Sequence, residues 1–310
     1  MKIFRFVIAL AIAPLFITSC ATFGEESPDA DSKKNRIIAC TERASRTTMG
    51  NNYSVLWSDG DLIAVFGFMN DHSEPSAEIY QLVSGVGSAN GVFEGDLPSN
   101  FDTYSAIYPI SMLQTMSYSG QILLELPYDN AVYTEQNFLD EANPMYAVGT
   151  LEGGFKFKNL CGILELKVNG TGTISAIRVE ADSAISGSFL VQNGEAVLYR
   201  VQGYDAYNYV AATISPAITL STDTARSIYV ILPPKTYSNL KITTTDTAGG
   251  TTTLTAANPI TITRSAITPV SIFTHDGNGE EGGDDDDGGD SGNDGDNKIE
   301  DPEEKPEIDW

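Results

Sequence analysis

The chain has 310 residues and a formal net charge of −24, with 42 acidic against 18 basic side chains, and 41% of its residues are hydrophobic. A polyanion attracts neither nucleic acid nor an anionic lipid surface, so no nucleic-acid partner is expected. The charge is uneven: from Asp276 onward there are sixteen acids and two lysines, which leaves the rest only mildly acidic.

In chain order, a leader comes first, over 1–19. Lys2 and Arg5 give it a basic start, and Phe6 to Thr18 form an apolar run interrupted only by Pro14. That is the length of a signal-peptide core and falls short of the roughly 20 residues a membrane-spanning helix needs. Ile17-Thr18-Ser19-Cys20 then reads apolar, small, small, cysteine, the pattern of a bacterial lipobox. A signal peptidase needs small side chains beside the scissile bond, and a lipid transferase needs a thiol at the new N-terminus. Cys20 is therefore the expected lipid attachment site, and two or more acyl chains, at about 0.8 kcal/mol per buried CH₂, hold a protein durably on a membrane. Ala21 follows in place of an aspartate, so nothing obvious retains the chain at an inner membrane, and an outer-membrane, cell-surface lipoprotein is expected. Residues 20–35 are small and charged and read as a tether.

The remainder reads as all-β. Thr, Val, Ile and Tyr recur in short runs, punctuated by Gly, Asn, Asp and Ser about every ten residues. The best helical stretch, Thr134 to Ala142, is short. A first folded region is expected over 36–143. In it Ser58-Asp59-Gly60-Asp61 makes a tight turn, with Gly60 free to take positive φ. The run Leu62 to Phe68 is apolar at both phases, as suits the centre of a sandwich. A second region is expected over 144–275. "GGFKFKN" alternates strictly, "LCGILELKV" follows in shifted phase, and "NGTG" before "TISAIRVEA" is a hairpin signal. Pro233-Pro234 must end a strand or sit at an edge. The tail, 276–310, is almost free of apolar residues and is expected to be disordered.

The residues do not assemble an enzyme. There are two histidines, His72 and His275, and no H-E-x-x-H, C-x-x-C or G-x-S-x-G. Asp71-His72-Ser73 holds triad residue types, but neighbours in an extended loop point different ways. Asp290, Asp294 and Asp296 have the acid-glycine rhythm of calcium loops, yet Gly292 and Lys298 stand where oxygen ligands belong. No cofactor and no metal site is expected. Cys40 and Cys161 are open to disulfide pairing, but Cys161 lies in an apolar strand, where a free cysteine packs as a small hydrophobe. Tyr199, Tyr204, Tyr207 and Tyr209 cluster; Tyr204 and Tyr207 are candidates for a ligand or subunit contact, with plain packing over a sheet edge as the other reading.

"YSVLWSDGDLIAVFG", "FKFKNLCGILELKVNGTGTISAIRVEAD" with "ISGSFLV" after it, and "SIYVILPPKTYSNLKITTTD" resemble fimbrillin-like proteins, the fimbrial subunit lipoproteins of Gram-negative anaerobes. The resemblance covers most of the chain between about 50 and 273. It implies two tandem transthyretin-like (Ig-like Greek-key) β-sandwich domains, exported as a lipoprotein and used in a surface fimbria. It implies, too, that an arginine-specific protease removes the first strand and that a strand from another subunit fills the groove. Here the segment is "RIIACTERASRTTMG", with Arg43 and Arg46 as candidate cleavage sites. Ser183, Thr224 and Thr247 match a short O-glycosylation pattern of such bacteria. The acidic tail departs from the family pattern, in which the end of a stalk subunit joins the contact between subunits. The expected function is that of a non-catalytic fimbrial (pilus) subunit or fimbria-associated adhesin. Its expected partners are other fimbrial subunits, in a homo- or hetero-polymer, the outer membrane through the lipid, and a host or bacterial surface receptor. The alternative is a surface glycan-binding lipoprotein using Tyr204 and Tyr207.

Overall fold

A computed structural model describes residues 34–42, 45–46, 55–97, 99–117, 119–128, 131–133, 143–192 and 196–277, with the backbone alone for 45–46 and 131–133. The leader, Cys20, Arg43, the candidate helical stretch 134–142 and the tail beyond 277 lie outside these residues.

The described chain is all-β, as its composition requires, apart from one 3-10 turn at Ile110–Met112. With strands numbered in chain order, β1 (Asn35–Thr41), β3 (Leu62–Phe68), β4 (Ser76–Ser84), β5 (Asn90–Gly95), β6 (Thr103–Tyr108), β10 (Met145–Thr150) and β11 (Gly154–Asn159) close into a barrel in the order β1-β11-β10-β6-β3-β4-β5. Every pairing is antiparallel except β1 with β11. Alternation decides which side chains enter. Ile37 and Ala39, Ile63 and Val65, Phe93, and Phe155 and Phe157 point inward around Trp57. The turn at Gly60 forms as expected, at φ 88°, and Asp61 Oδ2 accepts the Ser58 N–H at 2.6 Å.

β12 (Gly162–Gly170), β18 (Arg226–Leu232), β23 (Ala266–Pro269), β24 (Phe273–His275) and the short β2 (Ser45–Arg46) form a second sheet. A third comprises β13 (Thr173–Glu180), β17 (Tyr209–Thr219), β20 (Lys241–Asp246), β21 (Thr251–Thr255) and β9 (Ala131–Tyr133). The two share one core, in which Leu164, Leu166 and Val168 meet Ile174, Ile177, Val179 and Ile242. Such a core of two sheets is the sandwich arrangement. "NGTG" does not make the expected hairpin. β12 pairs with β18, β23 and β24, while β13 pairs with β17 and β20, so the turn carries the chain from one sheet to the other. The apolar faces of both strands look into the same core, and burying them outweighs pairing them side by side. Gly170 permits the crossing at φ 126°, since a Cβ there would lie 2.1 Å from the His275 carbonyl oxygen. Pro233 and Pro234 follow the end of β18, an edge strand, as expected.

β7 (Leu113–Met116), β8 (Ile122–Leu126), β14 (Ser186–Val191), β15 (Leu198–Arg200) and β16 (Ala206–Tyr207) make a fourth sheet, and β19 (Thr236–Tyr237) and β22 (Ile260–Thr261) a small ladder. The fourth sheet covers the outer wall of the barrel, where Ile122, Leu124 and Val191 pack on Ala64, Phe66 and Ile107. β3 is apolar at both phases for this reason: one phase lines the barrel, and the other lies under a second sheet. Strands from both sides of position 144 share the barrel, and strands from both sides share the fourth sheet. β11 ends in the barrel at Asn159 and β12 begins in the second sheet at Gly162. Cys161, in that junction, is a free, buried thiol, so it makes no disulfide with Cys40. Burial raises its pKa far above the ordinary thiol range.

Candidate functional site: the strand that closes the barrel

β1 joins the two ends of the barrel wall. Its backbone pairs with β5 from Asn35↔Gly95 to Cys40↔Asn90 and, on the other side, with β11 from Ala39↔Phe155 to Thr41↔Phe157. Of its side chains, Ile37 and Ala39 are buried in the barrel, while Arg36 is exposed and pairs with Glu94 Oε1 at 2.8 Å. Full burial of an isoleucine contributes about 1.5–3 kcal/mol, so Ile37 is the main apolar hold on this strand.

Trp57 sets the shape of the space around it. The indole packs edge-on against Phe93, Tyr108 and Phe157, with ring centroids 4.9, 5.4 and 5.6 Å away. Its Nε1–H donates to the Ala39 carbonyl of β1 at 3.1 Å. At this level the row of inward positions reads Gly91, Ala39, Phe155 across β5, β1 and β11. A Cβ on Gly91 would meet Trp57 Cδ1 at 2.8 Å, Leu82 Cδ1 at 2.7 Å and Phe93 Cε2 at 2.9 Å. Two small residues in the row make room for one large ring.

Just past β1, Glu42 fastens the strand's end. Its Oε1 accepts from the Asn159 backbone N–H, from Arg264 Nη1 and from the Ser265 hydroxyl. Arg264 also donates to the Asn159 carbonyl at 3.0 Å, and the Asn159 side chain receives Asn143 Nδ2 at 2.8 Å. Charge-assisted bonds of this kind are roughly twice as strong as neutral ones. Ser265 sits in the left-handed region, at φ 58°, which the surrounding bonds over-determine.

The residues singled out in the sequence are dispersed. Arg46 lies in β2, paired with Ile267 of β23, and Arg43 and Cys20 are outside the described residues. Tyr207 is 7% exposed, with its ring 4.1 Å from that of Tyr128. Tyr204 and Tyr199 pack on Leu123, Leu190 and Val201. Tyr209 carries the Arg178 guanidinium 3.8 Å over its ring. Ser183 is buried, whereas Thr224 and Thr247 are exposed. Asp71 Oδ1 accepts the Ser73 N–H at 2.9 Å in a local turn, with His72 at φ 58°. Among the described residues no group of three or more His, Cys, Asp or Glu is placed to hold a metal. The sequence reading passed over Glu42, Arg264 and the role of Trp57. A lone tryptophan directly before a tight turn is a usable signal for a barrel plug; nothing local marks a glutamate that bonds across the whole chain.

No family model matches the chain, and no curated protein does. The fold is similar to that of a candidate cell adhesion protein from Bacteroides ovatus. The two are 15% identical over 79% of this chain and 93% of that one, with a TM-score of 0.50. A fimbrial protein from Bacteroides ovatus aligns at 12% identity over 80% of this chain and 50% of its own, with a TM-score of 0.39. A C-terminally truncated tip fimbrial protein from Porphyromonas gingivalis aligns at 11% identity over 74% and 82%, with a TM-score of 0.31. The likeness is one of fold.

Proposed function

We propose that the protein is a fimbrial subunit or fimbria-associated adhesin of the fimbrillin-like kind, held at the outer membrane by lipid on Cys20 until a protease cuts it. One observation carries this reading. β1 completes the barrel wall, and the segment that holds Arg43 and Arg46 carries the chain from it to the strands that follow. A cut there breaks the main-chain link between β1 and those strands. Its departure turns a closed ladder into two unpaired edges, β5 and β11, on either side of an apolar groove, which is the template that strand addition uses. The fold likeness to a candidate cell adhesion protein accords with this, as does a barrel followed by a second β-domain. In this reading the partners are other fimbrial subunits and a surface receptor, and Thr224 and Thr247 stand open to O-glycosylation.

Intact-mass analysis of the protein taken from its native membrane tests the proposal. A lipid-free mass starting after Arg43 or Arg46, recovered from polymers, is the expected result for an assembled subunit. A mass starting at lipidated Cys20 is expected for the unprocessed form. If every copy, in polymers as in membranes, retains residues 35–41, strand complementation at this groove is wrong.

A further inference from the structure

We infer that the groove beneath β1 accepts only a strand with a branched apolar residue where Ile37 stands and Ala, Gly or Ser where Ala39 stands, and that a partner chain, not residues 276–310 of this one, supplies it. The inference rests on the strand-complementation reading and adds to it the side-chain code of the incoming strand and its source.

The code follows from the barrel's interior. Ala39 is wholly buried, and its carbonyl is fixed by Trp57 Nε1. Its cross-strand neighbour Gly91 lacks room even for a methyl group beside the same indole. A leucine or larger side chain at the Ala39 position would have to displace Trp57 from its three aromatic neighbours, and cores resist overpacking of that sort. Ile37, opposite Phe93 on β5, fills the next inward position and is 1% exposed. The outward positions, Arg36, Ile38 and Cys40, are exposed or half-buried and set no comparable limit. Both edges of the strand enter ladders, one antiparallel and one parallel, so proline is excluded where its missing N–H is needed.

Residues 276–310 do not satisfy the code. Their only apolar side chains are Ile299, Ile308 and Trp310. Two positions beyond Ile299 stands Asp301, followed by Pro302; two beyond Ile308 stands Trp310. The first would bury a carboxylate in an apolar barrel, and the second would put an indole where a methyl fits. The preceding segment is not free to leave: β23 and β24 pair with β12, and Ile267 and Phe273 are buried there.

The test uses the full chain cut by an arginine-specific protease, incubated with an excess of dye-labelled peptides. The parent peptide is residues 35–41 with Cys40→Ser; the others carry Ile37→Val or Ala39→Leu, or span residues 296–310. Uptake is read by anisotropy and by the change in Trp57 emission. The parent and the Ile37→Val peptide are expected to enter within threefold of one another, the Ala39→Leu peptide at least tenfold more weakly, and the 296–310 peptide not at all. Equal uptake of the Ala39→Leu peptide, uptake of the 296–310 peptide, or self-association of the cut chain through its own tail overturns the inference while leaving strand complementation standing. If no peptide enters a cut chain that keeps its β-sheet circular dichroism, strand complementation falls, and the inference with it. Should the cut chain unfold, the intact chain answers the packing question. Ala39→Leu should lower the urea midpoint and Trp57→Phe in the same chain should recover part of the loss; no recovery overturns the code.

Discussion

Glu42 bonds to Arg264, 222 positions further along the chain, and through it to the junction between β11 and β12. The residue that ends the barrel-closing strand is thus fastened to the turn that leads into β23. Glu42→Gln keeps the shape and removes the charge, and both partners are partly exposed. A loss of about 1–2 kcal/mol is therefore expected, between the values for an exposed ion pair and for a buried bond to a charged group. Urea unfolding measures it. In a double-mutant cycle with Arg264→Met the two losses should not add.

Ile37 and Ile38 are neighbours on one strand with opposite fates. Ile37→Ala empties an inward position and should cost about 2–5 kcal/mol, with a cavity left among the aromatic rings. Ile38 is half-buried on the outer wall, and Ile38→Ala should cost well under half of that. Equal losses would mean that β1 sits in another register.

Cys161 should resist alkylation in the folded protein, because it is buried and burial favours its neutral thiol. Mass spectrometry after iodoacetamide treatment should find it unlabelled in buffer and labelled in urea. Raising the pH to 9 should not expose it.

Asp246 makes a pH-dependent contribution. The backbone N–H of Gly250, at 2.8 Å, lowers its pKa most; partial desolvation opposes this, and the Ala248 N–H and His275 lower it further. A carboxyl whose folded-state pKa is depressed stabilises the fold above its unfolded value, about 3.9, and that contribution is lost as the pH falls through the folded value. The urea midpoint of Asp246→Asn should therefore lie below wild type at pH 7, and the gap should close as the pH drops below about 4.

How much of this could be read from the sequence depends on the range of the interaction involved. The β-class, the turn at Gly60, the doubly apolar strand Leu62 to Phe68 and the edge strand before Pro233 were all legible, because alternation and turn chemistry are local. Strand partners were not. "NGTG" carries the signs of a hairpin and makes a crossover, since the shared core of Leu166 and Ile177 is a long-range fact that no four residues encode. The closing of the barrel depends on β1 pairing with β11, over a hundred residues away, in parallel, and alternation does not distinguish that partner from any other. At the candidate site, the arginines after β1 were visible as residue types. The glutamate clamp and the small-residue row under Trp57 were not, because each is assembled from segments distant in sequence.

A barrel whose wall is completed by its own N-terminal strand has no row of unpaired N–H and C=O groups around it. Intact copies can be crowded together without one barrel templating the next. If the cut after β1 is what opens the wall, the onset of polymerisation is set by the protease and not by how many copies have accumulated. Supply and assembly are then separately controlled, and a cell can stockpile the subunit without starting the fibre.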